Sequence, residues 1–76
     1  MDVTKKVYIL TRQLPREELF GLTSQMRRAA ISIPSNLAEG HCKSTQSFRN
    51  HIWIAMGSLA ELETQLELSG ELYPVT

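Results

Sequence analysis

Residues 45–69 read TQSFRNHIWIAMGSLAELETQLELS, and their pattern decides the fold. Phe48, Ile52, Ala55, Leu59, Leu62 and Leu66 recur at spacings of four, three, four, three and four. A helix turns by about 100° per residue, so these spacings gather the side chains into one apolar stripe, whereas a strand requires alternation. Sustained over nearly three heptads, the stripe is that of a helix packed lengthwise on other helices. The back of the same segment is also partly apolar, because Trp53, Ile54, Gly57 and Leu68 lie roughly opposite Leu59. A helix apolar on two sides has neighbours on two sides. The third helix is expected over about residues 45–69, with Ser44 or Thr45 as its N-cap.

Working back from this segment, Leu22 to Gly40 forms the second helix. Counted at about 100° per residue, Leu22, Ala29, Ala30, Ile33, Leu37 and Gly40 fall within about 60° of Met26 and form the buried face. Pro34 lies inside the segment and removes the backbone bond to Ala30; the pattern continues in phase beyond it, so a kink is expected rather than a break. Gly40 is placed as the C-terminal stop, with residues 41–45 as the turn. Within that turn Cys42 is a small loop residue. His41 and His51 are a loop and a helix-flank residue rather than ligands. The first helix covers about residues 3–14, with Val3, Val7, Leu10 and Leu14 as its stripe, and stops at Pro15. Pro15-Arg16-Glu17-Glu18 is a good start for a helical turn, and Gly21 permits a bend. Short turns make consecutive helices antiparallel. The expectation is an all-α, up-and-down, four-helix-bundle-like arrangement in a single domain over residues 1–76.

The run from Gly21 to Gly40, GLTSQMRRAAISIPSNLAEG, resembles the signature helix of the four-helix-bundle family encoded in 23S rRNA intervening sequences. Residues 57–66, GSLAELETQL, are similar to that family's third helix, and Leu14-Pro15-Arg16-Glu17-Glu18 matches its approach to the second. The resemblance implies an up-and-down four-helix bundle that assembles as a ring, typically a pentamer. It also brings in relatives that act as accessory proteins of diversity-generating retroelements, which bind nucleic acid and a reverse transcriptase. The chain departs from the pattern at Tyr73-Pro74-Val75-Thr76, where the family's fourth helix should begin, so that helix is expected to be absent.

Composition narrows the function classes. A domain of 76 residues buries only about 60% of its unfolded surface, which leaves it in need of a staple or a partner. One cysteine rules out an intrachain disulfide and fits a reducing cytoplasm. His41, Cys42 and His51 form no paired ligand motif, so no metal or other cofactor is expected. No apolar run approaches the roughly 20 residues of a membrane span. The net charge is zero but unevenly spread: the last third is acidic through Glu61, Glu63, Glu67 and Glu71, so an anionic partner would meet the N-terminal two thirds.

Individual polar residues sharpen these expectations. Glu63 projects about 40° from Leu59, inside the apolar stripe, so partial burial is expected, with Arg27 pairing to Glu61 or Glu63 as an ion pair that fixes helix register. A buried carboxylate can act as a general acid only beside a second polar group in a cleft, and none is evident, so neither catalysis nor a small-molecule substrate is expected. Arg27, Ile31 and Pro34 on the second helix, with Trp53, Ile54 and Leu68 on the third, are assigned to contacts with a subunit or partner. Lys5, Lys6, Arg12, Arg28 and Lys43 are the candidate contacts to RNA or DNA phosphates. The aromatic residues are scattered and suggest no stacking platform among basic residues. The leading expectation is a self-associating, non-enzymatic scaffold or interaction module, and the alternative is an RNA- or DNA-binding accessory subunit.

Overall fold

The computed structural model describes residues 2–41 and 43–74. Three helices account for most of them: α1 (Asp2–Thr11), α2 (Leu22–His41) and α3 (Thr45–Leu72), with a short 3₁₀ turn at Arg16–Glu18 between the first two. The helices pack antiparallel in sequence order, α1 and α3 both against α2, and a fourth helix is absent among the described residues. Cys42, read above as a turn residue, lies outside the described residues, as do Val75 and Thr76.

Local chemistry explains where the elements stop. α1 ends at Thr11, three residues before the stripe does. Beyond Arg12, whose amide still reaches Tyr8 O, the amides bond back at the tighter i−3 spacing, Gln13 N–H to Leu10 O and Leu14 N–H to Thr11 O, ahead of Pro15. The hydroxyl of Thr11 donates to Val7 O at 2.8 Å. Glu18 caps α2, its Oε1 accepting from Leu22 N–H at 3.2 Å. Ser44 caps α3 by accepting from Ser47 N–H, and α3 continues to Leu72, three residues past the expected end.

Pro34 sits in an unbroken α2. The carbonyl that it deprives of a partner belongs to Ala30, and this oxygen accepts from the Thr4 hydroxyl of α1 at 3.3 Å. Gly40 does not end its helix in a left-handed conformation, since no glycine has positive φ. Its place is set instead by close approach: a Cβ there would stand 2.8 Å from the His51 Cβ of α3.

The core is Val7, Met26, Ala29, Ala30 and Leu62, with Leu10, Leu14, Leu22, Ile33 and Leu66 packed around it. It lies at one end of the molecule, because the helices differ in length. At about 1.5 Å per residue α1 spans ~15 Å, α2 ~30 Å and α3 ~42 Å. The whole molecule is 44 Å long. Thr4, near the start of α1, already lies level with Ala30, so α1 leaves the second half of α2 uncovered. There Leu37, expected on the buried face, is 38% exposed, and Phe48, which approaches Gly40 from α3, is 40% exposed.

Candidate functional site

The expected ion pair between Arg27 and Glu61 or Glu63 does not form, and Glu63 is exposed. The reason lies in the axis of the α3 stripe. Its buried centre is Ala55, Leu62 and Ser69, seven apart, and Glu63 stands about 100° from Leu62, outside the contact. Glu61 is exposed too, and its Oε1 accepts from Gln65 within α3. Arg27 faces α1 instead of α3. Its Nε donates to Thr11 Oγ1 at 2.9 Å, and its guanidinium lies 4.5 Å over the ring of Tyr8.

What joins α2 to α3 is a seam of neutral polar groups. Ser58 Oγ donates to Ser32 Oγ at 2.9 Å, and Asn36 Nδ2 donates to Ser32 O at 2.8 Å and to Ser32 Oγ at 2.9 Å. Asn36 Oδ1 lies 2.9 Å from His51 Nδ1. Because a backbone carbonyl can only accept, the Asn36 amide presents its oxygen to the imidazole, and Nδ1 carries the proton. This seam fixes the register that the ion pair was expected to fix.

At the other end of the molecule Tyr73 donates its hydroxyl to Glu18 Oε2 at 2.6 Å, tying the last turn of α3 to the α1–α2 connection. That bond, followed by the Leu22 amide, holds the Glu18 carboxyl below its usual range, and the same carboxylate pushes the Tyr73 hydroxyl up.

The residues assigned to partner contacts do not form one surface. Arg27 is occupied by α1 as described, and Pro34 is half-buried. Trp53, 69% exposed, shares a cavity of about 390 Å³ with Phe48, Ile52 and Met56. Ile31 lines a different cavity with Tyr8 and Phe20. Ile54 and Leu68 are exposed on one flank of α3, fourteen residues and so about 40° apart. A further apolar groove of about 200 Å³ separates α1 from α3, lined by Val3, Val7, Leu10, Leu62 and Leu66 with Lys6 at its edge.

The basic residues also divide. Lys5 and Lys6 are exposed on α1. Lys43 lies beyond the far end of α2, about 30 Å from the α1–α2 connection. Arg12 and Arg28, by contrast, sit at one corner of the molecule with Arg16 and Arg27, on two adjoining cavities. Arg16 carried no assignment in the sequence. The signal was the turn itself: folding α1 back on α2 places residues near 12 and 16 beside those near 27.

Among the described residues no three His, Cys, Asp or Glu side chains converge as a metal site requires, and no helix is long and apolar enough to cross a membrane. Comparison with curated protein sequences gives no match. Comparison with protein families matches residues 1–75 to the family described as 23S rRNA-intervening sequence protein. The match spans nearly the whole chain, the helices follow one another antiparallel as that family resemblance implied, and the protein therefore belongs to the 23S rRNA-intervening sequence protein family.

Proposed function

We propose that the chain is a non-enzymatic helical-bundle protein of the cytoplasm that self-associates and serves as a scaffold or interaction module. The observation that carries this reading is the balance between covered and uncovered apolar side chains. Among the described residues six apolar ones are buried and three of them are alanines, whereas thirteen large apolar side chains are exposed, seven on α3. A chain that covers so little of its own apolar surface gains stability by covering the rest with another molecule. Exposed Trp53, Met56 and Phe48 are of the residue types enriched in the centres of protein interfaces.

The occupant is a second copy, whose α3 carries the same surplus. The family resemblance implies a closed ring, typically of five. Replacing Trp53 and Met56 by Glu tests this surface, because both are exposed and the intrachain core does not include them. Light scattering on a sizing column is expected to show the variant at the mass of one 8.6 kDa chain where the unaltered protein runs as a discrete oligomer. A variant that assembles like the unaltered protein overturns the assignment of this surface.

A second reading, an RNA- or DNA-binding accessory subunit, is favoured by one observation: Arg12, Arg16, Arg27 and Arg28 gather at one corner of a chain whose net charge is zero.

A further inference from the structure

Two cavities meet at the corner where α1 turns back onto α2. The first, about 260 Å³, is lined by three arginines, Arg12, Arg16 and Arg27, with the hydroxyl-bearing Thr11 and Thr23. The second, about 370 Å³, is lined by Tyr8, Phe20, Arg28 and Ile31. Leu19, Thr23 and Arg27 border both, so the two form one continuous surface. Their chemistry differs: one end offers guanidinium groups, and the other an aromatic ring beside a cation.

Arg27 is built into this surface rather than draped over it. The Thr11 hydroxyl and the Tyr8 ring hold its guanidinium in place. Among the described residues only its Nε is engaged, which leaves the Nη donors for a ligand. Among the described residues no hydrogen bond joins a carboxylate to any of the four arginines. The two nearest acids in sequence are Glu17, exposed beside Arg16, and Glu18, whose carboxylate is taken by the Leu22 amide and the Tyr73 hydroxyl. Phe20 is 92% exposed, more than any other large apolar side chain of the described residues. Phe20 thus stands beside Arg27 and Arg28, although the scattered aromatic residues of the sequence suggested no stacking platform among basic ones.

We propose that this corner binds an unpaired segment of nucleic acid, with phosphates in the Arg12, Arg16 and Arg27 cavity and a base stacked on Phe20 beside Arg28. The proposal rests on the second reading above and deepens it by naming the site and the strand form. The held guanidinium of Arg27, with Arg12 and Arg16 beside it, suits phosphate oxygens through paired donors, and a ring standing free in water suits the face of a base that no longer pairs. A duplex keeps its bases stacked on one another and offers nothing to Phe20, so the single strand is favoured. RNA and DNA share this chemistry. The site makes no choice between them.

The test measures binding of the full chain to fluorescein-labelled eight-residue oligouridylate, oligothymidylate and a duplex of the same length, by anisotropy across a salt series. Both single strands are expected to bind more tightly than the duplex, and about equally with one another. Arg12→Gln with Arg16→Gln, both exposed, is expected to weaken single-strand binding about tenfold at low salt and to flatten the dependence of log affinity on log salt by ~0.7 per lost phosphate contact. Phe20→Ala is expected to weaken it roughly fivefold or more while leaving the salt dependence unchanged. Absence of binding to any oligonucleotide overturns the nucleic-acid reading altogether. Binding that a polyglutamate peptide abolishes as readily as unlabelled oligonucleotide overturns that reading too. Binding that neither variant weakens, or that Lys43→Gln weakens equally, overturns this site while leaving the reading standing.

Discussion

Replacing Thr4 by Val tests how the fold tolerates a proline in the middle of α2. Pro34 has no N–H, so the Ala30 carbonyl loses its helical partner, and the Thr4 hydroxyl supplies a substitute from α1 at 3.3 Å. Valine keeps the shape of threonine and removes that donor. A net intramolecular hydrogen bond contributes about 0.5–1.5 kcal/mol, and an acceptor stranded away from water costs about 1–3 kcal/mol. This bond is long and only partly buried, so Thr4→Val should destabilise the protein by about 1 kcal/mol. Pro34→Ala restores an N–H that can reach the Ala30 carbonyl, and should stabilise by up to ~3 kcal/mol, the cost of an interior proline. In that background the carbonyl already has a donor, so Thr4→Val should cost close to nothing. The coupling between the two positions is then about 1 kcal/mol. Urea unfolding of the four proteins by far-UV circular dichroism, at one fixed chain concentration, measures it. Equal costs of Thr4→Val in both backgrounds would refute the reasoning.

Gly40→Ala pits two effects against each other: alanine favours a helix over glycine by ~1 kcal/mol, but its Cβ would stand 2.8 Å from the His51 Cβ, and overpacking costs about 1–3 kcal/mol. The urea midpoint should fall, and a rise would show that α2 and α3 do not approach so closely there. Leu62→Ala, at a side chain 2% exposed, should cost about 2–5 kcal/mol in the same assay, and a change near zero would reject Leu62 as core. The Glu18–Tyr73 bond should make stability depend on pH at both extremes. The lowered Glu18 carboxyl contributes stability above its unfolded range, lost as pH falls through the lowered folded value; the raised Tyr73 hydroxyl contributes below its unfolded range, lost as pH rises through the raised one. Thermal melts of Tyr73→Phe against the unaltered protein should therefore differ at neutral pH and converge in acid, and parallel curves would remove the bond from the account.

The order and type of the three helices were legible because each carries an apolar stripe at helical spacing and a proline, serine or acid at its boundary. Ser44 and Pro15 illustrate the boundaries, each standing where the structure uses it. The extent of burial was not legible, because a stripe reports which side chains can be covered and not what reaches them. Leu37 and Phe48 lie in phase with buried residues and are nonetheless exposed, since α1 ends short of them. Glu63 was misplaced for a related reason: centring the stripe on Leu59 turns the helix by about 60° from the Leu62 axis that the packing adopts. The arginine corner was unreadable by spacing along one helix. Arg12 and Arg16 reach Arg27 only through a tight turn that neither stripe encodes, and the Tyr8 ring under Arg27 depends on the same fold-back.

The central claim is that the chain covers its apolar surplus with copies of itself. Sedimentation equilibrium of the intact protein over a wide range of concentration measures this directly. The account predicts a single species at a whole-number multiple of 8.6 kDa that dissociates, if at all, only with loss of helicity. A folded monomer at 8.6 kDa that persists at the highest concentration would contradict it.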